Sequence, residues 1–265
     1  MKSLDKFLLT GKNILITGAT GYLGQAMVWA LAEAGANVLI NSHSYKKCQD
    51  LVNELQSFGY LAENAAFDVA DEKAVADYFV QRQGLAMHCL INNAYAGDAG
   101  TIETATVTEY QQSYDITVVS AHILLRNALD GLRLAVKSAG DASVINVASM
   151  YGMVSPDLRV YNKPEASNPP FYGAAKAALV QWTRYAACEF GVEGIRVNSI
   201  SPGPFPSLKV QEDAPCFMDK LAQKVPLLRI GKAHEIQGVV LLLASSASTF
   251  ITGTNIPIDG GWTSW

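Results

Sequence analysis

A serine, a tyrosine and a lysine form the group of side chains in this sequence that is best suited to move a proton. Tyr172 and Lys176 are four residues apart, so on a helix both side chains lie on one face. A nearby ammonium favours the ionised form of a phenol, and we therefore expect Lys176 to lower the Tyr172 pKa from its ordinary value of about 10. Ser149 lies upstream and could hydrogen-bond an oxygen on which charge develops. The three residues predict acid–base chemistry on an alcohol or a carbonyl group.

A tyrosine and a lysine at this spacing also occur by chance, so the surrounding sequence must decide. A glycine-rich turn at 17–24 joins the short apolar run 13–16 to a segment whose apolar residues recur at helical spacing. Such a turn lets the backbone approach a pyrophosphate at a helix N-terminus; a tight turn without a ligand is the simpler alternative. We interpret it as the phosphate site of a dinucleotide. Its predicted cofactor contacts are Gly18, Thr20, Gly21, Tyr22, Leu23 and Gly24.

The end of the second predicted strand bears on which dinucleotide binds. In dinucleotide-binding folds an acidic residue at this place binds the ribose 2′-hydroxyl of NAD. This sequence has Ser42 and His43 there, with no carboxylate, and Lys46 and Lys47 follow. NADP(H) is therefore favoured over NAD(H), and Ser42 and His43 are predicted cofactor contacts. The alternative is that the two lysines are only the solvated start of a helix.

Strands and helices alternate along most of the chain, mostly without hairpin turns. The predicted strands are 13–16, 37–40, one that ends at 67–68, 87–91, 142–147, 196–200 and 254–258. The predicted helices are 23–34, 46–57, 71–83, 110–138, 171–190 and 234–244, and the stretches 155–170 and 201–215 are predicted to be irregular. This alternation predicts an α/β fold: a Rossmann-type, doubly wound parallel sheet of about seven strands with helices on both faces, in a single domain over residues 1–265.

The composition excludes several other classes of protein. The chain has 265 residues, of which 49% are hydrophobic, and a net charge of −4, which argues against a nucleic-acid partner. The four cysteines form no Cys-x-x-Cys pair and the four histidines have no ligand-type spacing, so we predict reduced thiols and no metal. No apolar run is long enough to span a bilayer and the N-terminus is unlike a secretory signal, which predicts a cytoplasmic protein with no membrane partner.

Motifs along nearly the whole chain, from Thr17 to Gly261, resemble those of the short-chain dehydrogenase/reductase family, in its compact single-domain branch. The glycine-rich turn, the serine and the Tyr-x-x-x-Lys pair all fit this family. Three further segments resemble its adenine-contacting pair, its Asn-Asn-Ala segment and the segment that holds the nicotinamide carboxamide. In this sequence they are Asp68 and Val69; Asn93 and Ala94; and Pro202, Gly203 and Ser207, with Ser207 in place of the usual Thr. The resemblance implies that these residues contact the cofactor.

The resemblance also implies an activity, which is reversible hydride transfer between C4 of a nicotinamide ring and an alcohol or carbonyl carbon. Tyr172 would give a proton to the carbonyl oxygen during reduction, and Ser149 would hydrogen-bond that oxygen. Lys176 would bind the nicotinamide ribose, so that Tyr172 and Lys176 both touch the cofactor. A symmetric homotetramer is expected from the same resemblance, and the apolar residues around much of the helices at 110–138 and 171–190 agree with it.

Four departures from the family pattern lie at the predicted site. The glycine turn has Tyr22 where the compact branch has Gly. Tyr95 replaces the Gly that follows Asn-Asn-Ala, which places a large ring close to the cofactor channel. Thr117 stands where the family has an Asn that holds a water in the proton relay to the active-site lysine. Thr117 is therefore a fourth catalytic candidate, as a substitute in that relay.

The fourth departure is the distance between Ser149 and Tyr172. It is 23 residues here, where the family pattern has about a dozen. About ten residues are inserted, within the proline-rich stretch at about 155–170. The insert is either a surface bulge, which long loops tolerate, or a substrate-side wall. The polar residues of such a wall would be Arg159, Tyr161, Asn162 and Lys163.

Three functions are compatible with the sequence. The leading hypothesis is an NAD(P)(H)-dependent oxidoreductase acting on a small carbonyl or alcohol substrate such as a sugar or polyol derivative. A 3-oxoacyl thioester reductase is the alternative enzyme. A non-catalytic dinucleotide sensor, motivated by Thr117 and Tyr95, is the alternative of another class, although the retained catalytic residues argue against it. The predicted substrate contacts are Tyr95, Met150, Tyr151 and Tyr161.

Overall fold

A computed structural model describes residues 2–265 of the protein. It contains a sheet of seven strands in the order β3-β2-β1-β4-β5-β6-β7, and every neighbouring pair is parallel. The strands are β1 Asn13–Ile16, β2 Asn37–Ile40, β3 Ala62–Asn64, β4 Cys89–Asn92, β5 Ala142–Val147, β6 Ile195–Pro202 and β7 Asn255–Ile258. Parallel strands need a crossover between them, and the helices supply it.

Nine α-helices lie in the described residues. They are α1 Tyr22–Glu33, α2 Tyr45–Ser57, α3 Glu72–Val80, α4 Val107–Tyr114, α5 Ser120–Ala139, α6 Pro170–Phe190, α7 Leu208–Asp213, α8 Pro215–Lys224 and α9 Gln237–Ala244. Among residues 2–265 none of these helices has the length and apolar content needed to cross a bilayer.

The sheet is buried on both faces, which explains its continuous apolar runs. Successive side chains of a strand point to opposite faces. Ile14 and Ile16 of β1 therefore pack in one core with α1, α2 and α9, whereas Leu15 packs in the other with α3, α5 and α6. The predicted fold class, a doubly wound parallel sheet with helices on both faces in a single domain, is confirmed.

The strand order reverses between β1 and β4, and this point sets the place of the site. The connection from β1 runs to β2 on one side, while β4 is followed by β5 on the other side. The carboxyl ends of β1 and β4 consequently border a crevice, which is where open α/β sheets bind ligands. The predicted glycine turn follows β1 and the predicted Asn93–Ala94 contacts follow β4, so both sets lie at this crevice.

The strand predicted to end at 67–68 was placed too late. The ladder of β3 ends at Asn64. Beyond Asn64 the carbonyls of the segment are bound by a side chain instead of by a neighbouring strand. Asn41 Nδ2 donates hydrogen bonds to the carbonyls of Ala65 at 2.8 Å and Phe67 at 3.1 Å. The segment is extended but is held by a side chain, so the apolar pattern continues without a regular strand.

The predicted helix at 110–138 is divided into two. It begins earlier, at Val107, because Thr106 and Glu109 form a capping box: Thr106 Oγ1 accepts from the Glu109 N–H and Glu109 Oε2 accepts from the Thr106 N–H. A π-helical turn, Asp115–Val119, then separates α4 from α5. Such turns occur frequently at functional sites, and this one contains Thr117.

The stretch 201–215 is not wholly irregular. Strand β6 continues to Pro202, and α7 occupies Leu208–Asp213; α8, which follows directly, was not predicted. The stretch 155–170 is irregular as expected apart from two short 3₁₀ turns, Leu158–Val160 and Pro164–Ala166. Both stretches meet at α8.

Candidate active site

A cavity of about 350 Å³ opens at the crevice between β1 and β4. Its walls are the chain ends that follow β1, β2, β3 and β4, together with the N-terminus of α1. The predicted cofactor contacts that line it are Gly18, Thr20, Gly21, Tyr22, Leu23, Gly24, Ser42, His43, Asp68, Val69, Asn93 and Ala94. Asn41, Phe67, Ala96 and Ile116 also line it and were not predicted. Asn41 and Phe67 directly precede the predicted contacts Ser42 and Asp68, and this position was the sequence feature from which they could have been predicted.

Two glycines shape the phosphate end of this cavity. Gly18 has a φ of +61°, which disfavours any residue with a side chain. A Cβ on Gly24 would overlap the carbonyl oxygen of Gly18 and would lie 2.9 Å from the backbone of Ala19. The turn therefore folds tightly against the first residues of α1 only because both positions are glycine. The first residues of α1, whose N–H groups have no partner within the helix, line the cavity, as an anion site requires.

Thr17, which was not a predicted contact, holds the two sides of the crevice together. Its Oγ1 accepts hydrogen bonds from the backbone N–H groups of Asn93 at 2.9 Å and Ala94 at 3.1 Å. The Asn93 side-chain amide donates in turn to the carbonyls of Thr17 at 3.0 Å and Gly18 at 3.1 Å. Asn93 and Thr17 therefore fix the width of the crevice. The only sequence signal for Thr17 was its place directly before Gly18.

The adenine end of the cavity has groups that suit an anion. Ser42 is buried, with its Oγ 3.1 Å from Cys48 Sγ and accepting from the Ser44 N–H at 3.2 Å. His43 is exposed at the rim, and Lys46 and Lys47 are exposed in the first turn of α2. Ser42 therefore has a structural role at the rim of the cavity. His43 and the lysines at the start of α2 are exposed and could bind a phosphate.

Ser149, Tyr172 and Lys176 come together at the carboxyl end of β5. Lys176 is buried, and its Nζ donates a 2.7 Å hydrogen bond to the carbonyl of Val147, the last residue of that strand. Ser149 Oγ accepts from the Tyr151 N–H at 3.1 Å and starts a 3₁₀ turn. Tyr172 lies in the first turn of α6, one helical turn before Lys176. The structure thus brings the three predicted catalytic side chains together.

The expectation that Lys176 lowers the Tyr172 pKa is wrong for this structure. Burial raises the pKa of the Tyr172 phenol above its ordinary value, and the nearby Ser149 hydroxyl opposes this with a smaller effect. Burial also lowers the pKa of Lys176 to about 7. Desolvation outweighs attraction because both groups are enclosed and the ammonium is directed to Val147 rather than to the phenol. At neutral pH the phenol is protonated and the lysine is close to its titration midpoint.

Tyr95 packs against both of these residues. Its ring centroid lies 4.7 Å from that of Tyr172, with the rings 76° apart in an edge-to-face arrangement. Lys176 Nζ lies 5.3 Å from the centre of the Tyr95 ring and 5.6 Å from that of Tyr172. Tyr95 also lines the 350 Å³ cavity. The large side chain at this position is therefore at the cofactor channel, as predicted.

Thr117 lies close to the lysine, on a small cavity of about 10 Å³ that it lines together with Lys176 and Asn92. Thr117 Oγ1 and Asn92 Oδ1 are buried and make no hydrogen bond within residues 2–265. A cavity of roughly 10–15 Å³ with two or more polar partners has the size and chemistry for one water molecule. The π-helical turn thus brings the hydroxyl of Thr117 into reach of the active-site lysine through such a water.

Pro202, Gly203 and Ser207 do not line the 350 Å³ cavity. Pro202 ends β6, the Gly203 N–H donates to the carbonyl of Ile258 at 2.9 Å, and Ser207 directly precedes α7. They lie at the carboxyl edge of the sheet beyond β5.

The predicted substrate contacts Met150, Tyr151 and Tyr161 lie in a separate apolar cluster with α8 and Trp262. The hydroxyls of Tyr151 and Tyr161 are 3.3 Å apart, and the Tyr161 ring packs 5.3 Å from that of Phe217 on α8. Tyr151 also lies close to Tyr172, the proposed acid. Burial is the main cause of the raised pKa of Tyr151, and the neighbouring Tyr172 phenol contributes to it. This cluster is the wall of the site on the side of α8.

The insert is packed into the protein, which does not fit a surface bulge. Val160 and Ser167 are buried. Ser167 Oγ donates to the carbonyl of Gly100 at 3.0 Å, and the Gly100 N–H donates to the carbonyl of Ser167 at 3.1 Å. Asp157 pairs with Lys224 at the end of α8, and Arg159 binds the same carboxylate. The insert therefore connects the loop after β4 to α8; of its proposed wall residues only Tyr161 points inward, and Arg159, Asn162 and Lys163 are exposed.

A chain of buried polar side chains fixes α6 on the sheet. Asn92 Nδ2 on β4 donates to Asn146 Oδ1 on β5 at 2.8 Å, and Asn146 Nδ2 donates to Thr183 Oγ1 on α6 at 2.8 Å. Thr183 completes the chain by donating to the carbonyl of Leu179 at 2.8 Å. An asparagine inside an apolar strand, as at Asn146, was the signal that sequence reasoning passed over. The chain holds the helix that carries Tyr172 and Lys176 at a set position on the strands.

Comparison with known proteins agrees with this geometry. A family model described as enoyl-(acyl carrier protein) reductase matches residues 18–263. A rhamnolipids biosynthesis 3-oxoacyl-[acyl-carrier-protein] reductase of Pseudomonas aeruginosa is 31% identical over 261 residues, which cover 97% of this chain and 98% of that protein. A 2-dehydro-3-deoxy-D-gluconate 5-dehydrogenase of Formosa agariphila is 29% identical, covering 98% and 95%. The solved structure of a gluconate 5-dehydrogenase from Burkholderia cenocepacia in complex with NADP and tartrate has a TM-score of 0.88 and 26% identity, covering 100% of both chains.

A dinucleotide cavity at the switch point of a parallel sheet, with a serine, a tyrosine and a lysine beside it, defines a nicotinamide-dependent oxidoreductase. The chain belongs to the short-chain dehydrogenase/reductase family, as its motifs predicted. The prediction of an NAD(P)(H)-dependent enzyme that transfers a hydride between nicotinamide and an alcohol or carbonyl group is confirmed. The predicted cofactor class agrees with the NADP complex of the structural neighbour.

Proposed function

We propose that this enzyme interconverts the carbonyl and alcohol forms of a small polar substrate, a sugar or polyol derivative, with NADP(H). The observation that carries the proposal is the convergence of Ser149, Tyr172 and Lys176 beside the dinucleotide cavity. The substrate class is supported by the names of two relatives, a 2-dehydro-3-deoxy-D-gluconate 5-dehydrogenase and a gluconate 5-dehydrogenase. The part of the wall formed by Tyr151 and Tyr161 supports it as well, since two adjacent hydroxyls can hydrogen-bond a polyhydroxy substrate.

The residues that line the cavity fit the adenosine and pyrophosphate parts of the cofactor. The tight glycine turn leaves the start of α1 facing the cavity, where it would hold the pyrophosphate, and Asp68 and Val69 would hold the adenine. His43, with Lys46 behind it, would hold the 2′-phosphate. Pro202, Gly203 and Ser207 are proposed to hold the nicotinamide carboxamide. When bound, the nicotinamide ring supplies or accepts the hydride.

The protein residues supply the proton. The raised pKa of Tyr172 keeps the phenol protonated at neutral pH, which is the form that can donate to a carbonyl oxygen. Ser149 donates a hydrogen bond to the same oxygen and stabilises the negative charge that develops on it. Lys176, with its pKa lowered to about 7, can take up and release protons at working pH and so can restore the proton of the phenol. We propose that Thr117, at the small cavity next to the lysine, passes protons between Lys176 and the solvent.

Replacing Thr117 with Val tests this route. The variant removes the hydroxyl and keeps the shape of the side chain. We expect kcat to fall about tenfold with an unchanged KM for the carbonyl substrate, because the path to Lys176 loses a polar group. We expect only a small fall in Tm, because the hydroxyl makes no direct hydrogen bond to another protein group and its removal leaves none unpaired. A kcat equal to that of the unmodified enzyme would mean that Thr117 takes no part in proton transfer.

A substrate and cofactor panel tests the function itself. Ketone derivatives of sugar acids, simple cyclic ketones and a 3-oxoacyl thioester are each offered with NADPH and with NADH. We expect turnover of the sugar-acid ketones, with kcat/KM for NADPH at least about tenfold above that for NADH, because Lys46 and Lys47 attract a 2′-phosphate and no carboxylate at the end of β2 repels it. Equal use of NADH would mean that Lys46 and Lys47 are only a solvated helix start. No oxidation of either cofactor with any carbonyl would contradict the proposal.

A 3-oxoacyl thioester reductase remains the second candidate. It is supported by the name of the Pseudomonas aeruginosa relative and by the description of the matching family model. Faster turnover of the thioester than of every sugar-acid ketone in the same panel would select it. The sensor alternative gains no support from the site, since Ser149, Tyr172 and Lys176 lie together at the carboxyl end of β5.

The proposal includes a homotetramer in the cytoplasm. Exposed apolar side chains on α4 and α6, among them Val107, Tyr110, Tyr114 and Tyr185, support burial against other subunits. The four cysteines are free, which suits a reducing compartment. Light scattering would contradict the tetramer if it found a monomer.

A further inference from the structure

The dinucleotide cavity stops short of the catalytic residues, and Tyr95 marks the place where it stops. At this end the cavity is lined by Tyr95, Ala96 and Ile116. Neither Tyr172 nor Lys176 lines it, although both lie close to the Tyr95 ring. The ring therefore stands between the space that accepts the dinucleotide and the residues that act on the substrate.

The contacts that hold the ring in this position are weak. Two of them are the edge-to-face contact with Tyr172 at 4.7 Å and Lys176 Nζ at 5.3 Å from the ring centre. The Tyr95 hydroxyl is buried close to Ser113, whose hydroxyl opposes the rise that burial causes in the Tyr95 pKa, but it makes no hydrogen bond of good geometry within residues 2–265. A Cβ on Gly97 would lie 2.5 Å from that hydroxyl, so the ring fits here only because residue 97 has no side chain. The Tyr95 side chain is therefore positioned by packing and not by a strong hydrogen bond.

The chain around Tyr95 allows the side chain to move. Tyr95 lies in the irregular segment between β4 and α4, where its neighbours Ala94, Ala96 and Gly97 have small side chains or none. Rotation of the ring therefore displaces no large neighbour on its own segment.

We propose that Tyr95 is a positioning residue that closes the nicotinamide end of the cavity and turns away when the nicotinamide ring enters. The proposal rests on the proposed NADP(H)-dependent function. Entry of the ring must break the contacts of Tyr95 with Tyr172 and Lys176, and this cost lowers the affinity for the whole cofactor. The adenosine end of the cofactor binds at the opposite end of the cavity and does not meet Tyr95. Tyr95 thereby keeps the acid and the lysine covered until a nicotinamide ring replaces it.

The test compares the variants Tyr95→Ala and Tyr95→Phe with the unmodified enzyme. Calorimetric titrations measure the Kd of each protein for NADPH and for 2′,5′-ADP, which lacks the nicotinamide. We expect Tyr95→Ala to bind NADPH about tenfold more tightly, because the ring contacts are no longer broken on binding. We expect its Kd for 2′,5′-ADP to stay within about twofold, which also shows that the variant is folded. Tyr95→Phe keeps the ring and both of its contacts, so its Kd for NADPH should match that of the unmodified enzyme.

Weaker binding of NADPH by Tyr95→Ala, or no change, would overturn the proposal, since the ring would then be a platform for the nicotinamide or irrelevant to it. Equal changes for NADPH and 2′,5′-ADP would overturn it too.

Failure of this proposal is distinguishable from failure of the proposed function. An unmodified enzyme that binds neither NADPH nor 2′,5′-ADP contradicts the function. An enzyme that binds both, with the Tyr95 variants unchanged, contradicts only the role of Tyr95.

Discussion

The Tyr172→Phe variant is expected to lose at least about a thousandfold in kcat, because the Ser149 hydroxyl beside it is a much weaker acid than a phenol and cannot replace it as the proton donor. Its Kd for NADPH should stay within about threefold, because Phe keeps the ring and the edge-to-face contact with Tyr95. Steady-state kinetics with the best substrate of the panel, together with a calorimetric titration of NADPH, measures both quantities. The expected pattern is an enzyme that binds its cofactor normally and does not turn over.

The matched control for this variant is Tyr151→Phe. Tyr151 is a neighbouring phenol whose hydroxyl is 3.3 Å from Tyr161, and it has no place in the proton route. We expect Tyr151→Phe to change mainly the KM of a polar substrate, with kcat reduced by less than about tenfold, the value of a lost hydrogen bond. If Tyr172→Phe kept more than a tenth of the activity, or if Tyr151→Phe were the inactive variant, the acid would be wrongly assigned.

The second large effect is on stability. Burial lowers the pKa of Lys176 to about 7, whereas an unfolded lysine has its ordinary pKa of 10.5. Between these two values the unfolded chain binds more protons than the folded protein, so this group makes the protein more stable as pH rises. The slope approaches about 1.4 kcal/mol per pH unit, and the cost of the buried ammonium is fully present below the folded pKa.

Replacing Lys176 with Met removes the titrating group and keeps a side chain of similar length. Urea unfolding of the apo-protein at several pH values between about pH 7 and pH 10 gives the free energy of unfolding of both proteins. We expect the difference in the free energy of unfolding, unmodified protein minus variant, to rise by roughly 1 kcal/mol or more for each unit of increase in pH. The unsatisfied carbonyl of Val147 in the variant adds a cost that does not depend on pH.

Lys163→Met is the matched control, because it makes the same substitution at a lysine that is exposed on the insert. A difference for Lys176→Met that does not vary with pH would mean that Lys176 is hydrated and keeps its charge. The same variant should lose turnover, since a thioether cannot carry the proton of the route proposed for Lys176.

The cavity could be predicted from sequence because it is built from strand ends. The glycine turn follows β1, Ser42 follows β2, Asp68 follows β3 and Asn93 follows β4, and parallel strands bring such ends to one edge of the sheet. The helix carrying Tyr172 and Lys176 was predictable for a similar reason, since its apolar spacing is local. These features need only the order of elements and the rules of parallel sheets.

What could not be predicted depends on contacts between distant parts of the chain. The helical spacing fixes that Tyr172 and Lys176 share a face, but the direction of their pKa shifts follows from how deeply they are enclosed, to which Tyr95 contributes from another loop. The π-helical turn at Thr117 is defined by its backbone hydrogen bonds and not by a residue type, so the sequence reads as one continuous helix there. Pairing of Asp157 with Lys224, which joins the insert to α8, connects residues far apart in the chain.

The buried hydrogen bonds from Asn92 through Asn146 to Thr183 also determine how this enzyme can change. They attach α6 to the strands, and Lys176 adds a second attachment at Val147. The insert is not part of either attachment. The segment between Ser149 and Tyr172 can consequently change in sequence while the acid keeps its place above the sheet, provided that the contacts of the segment with Gly100 and Lys224 are kept. If the segment contacts the substrate as proposed, grafting the corresponding segment of a relative together with these contacts is the route to a new specificity that leaves the proton chemistry intact.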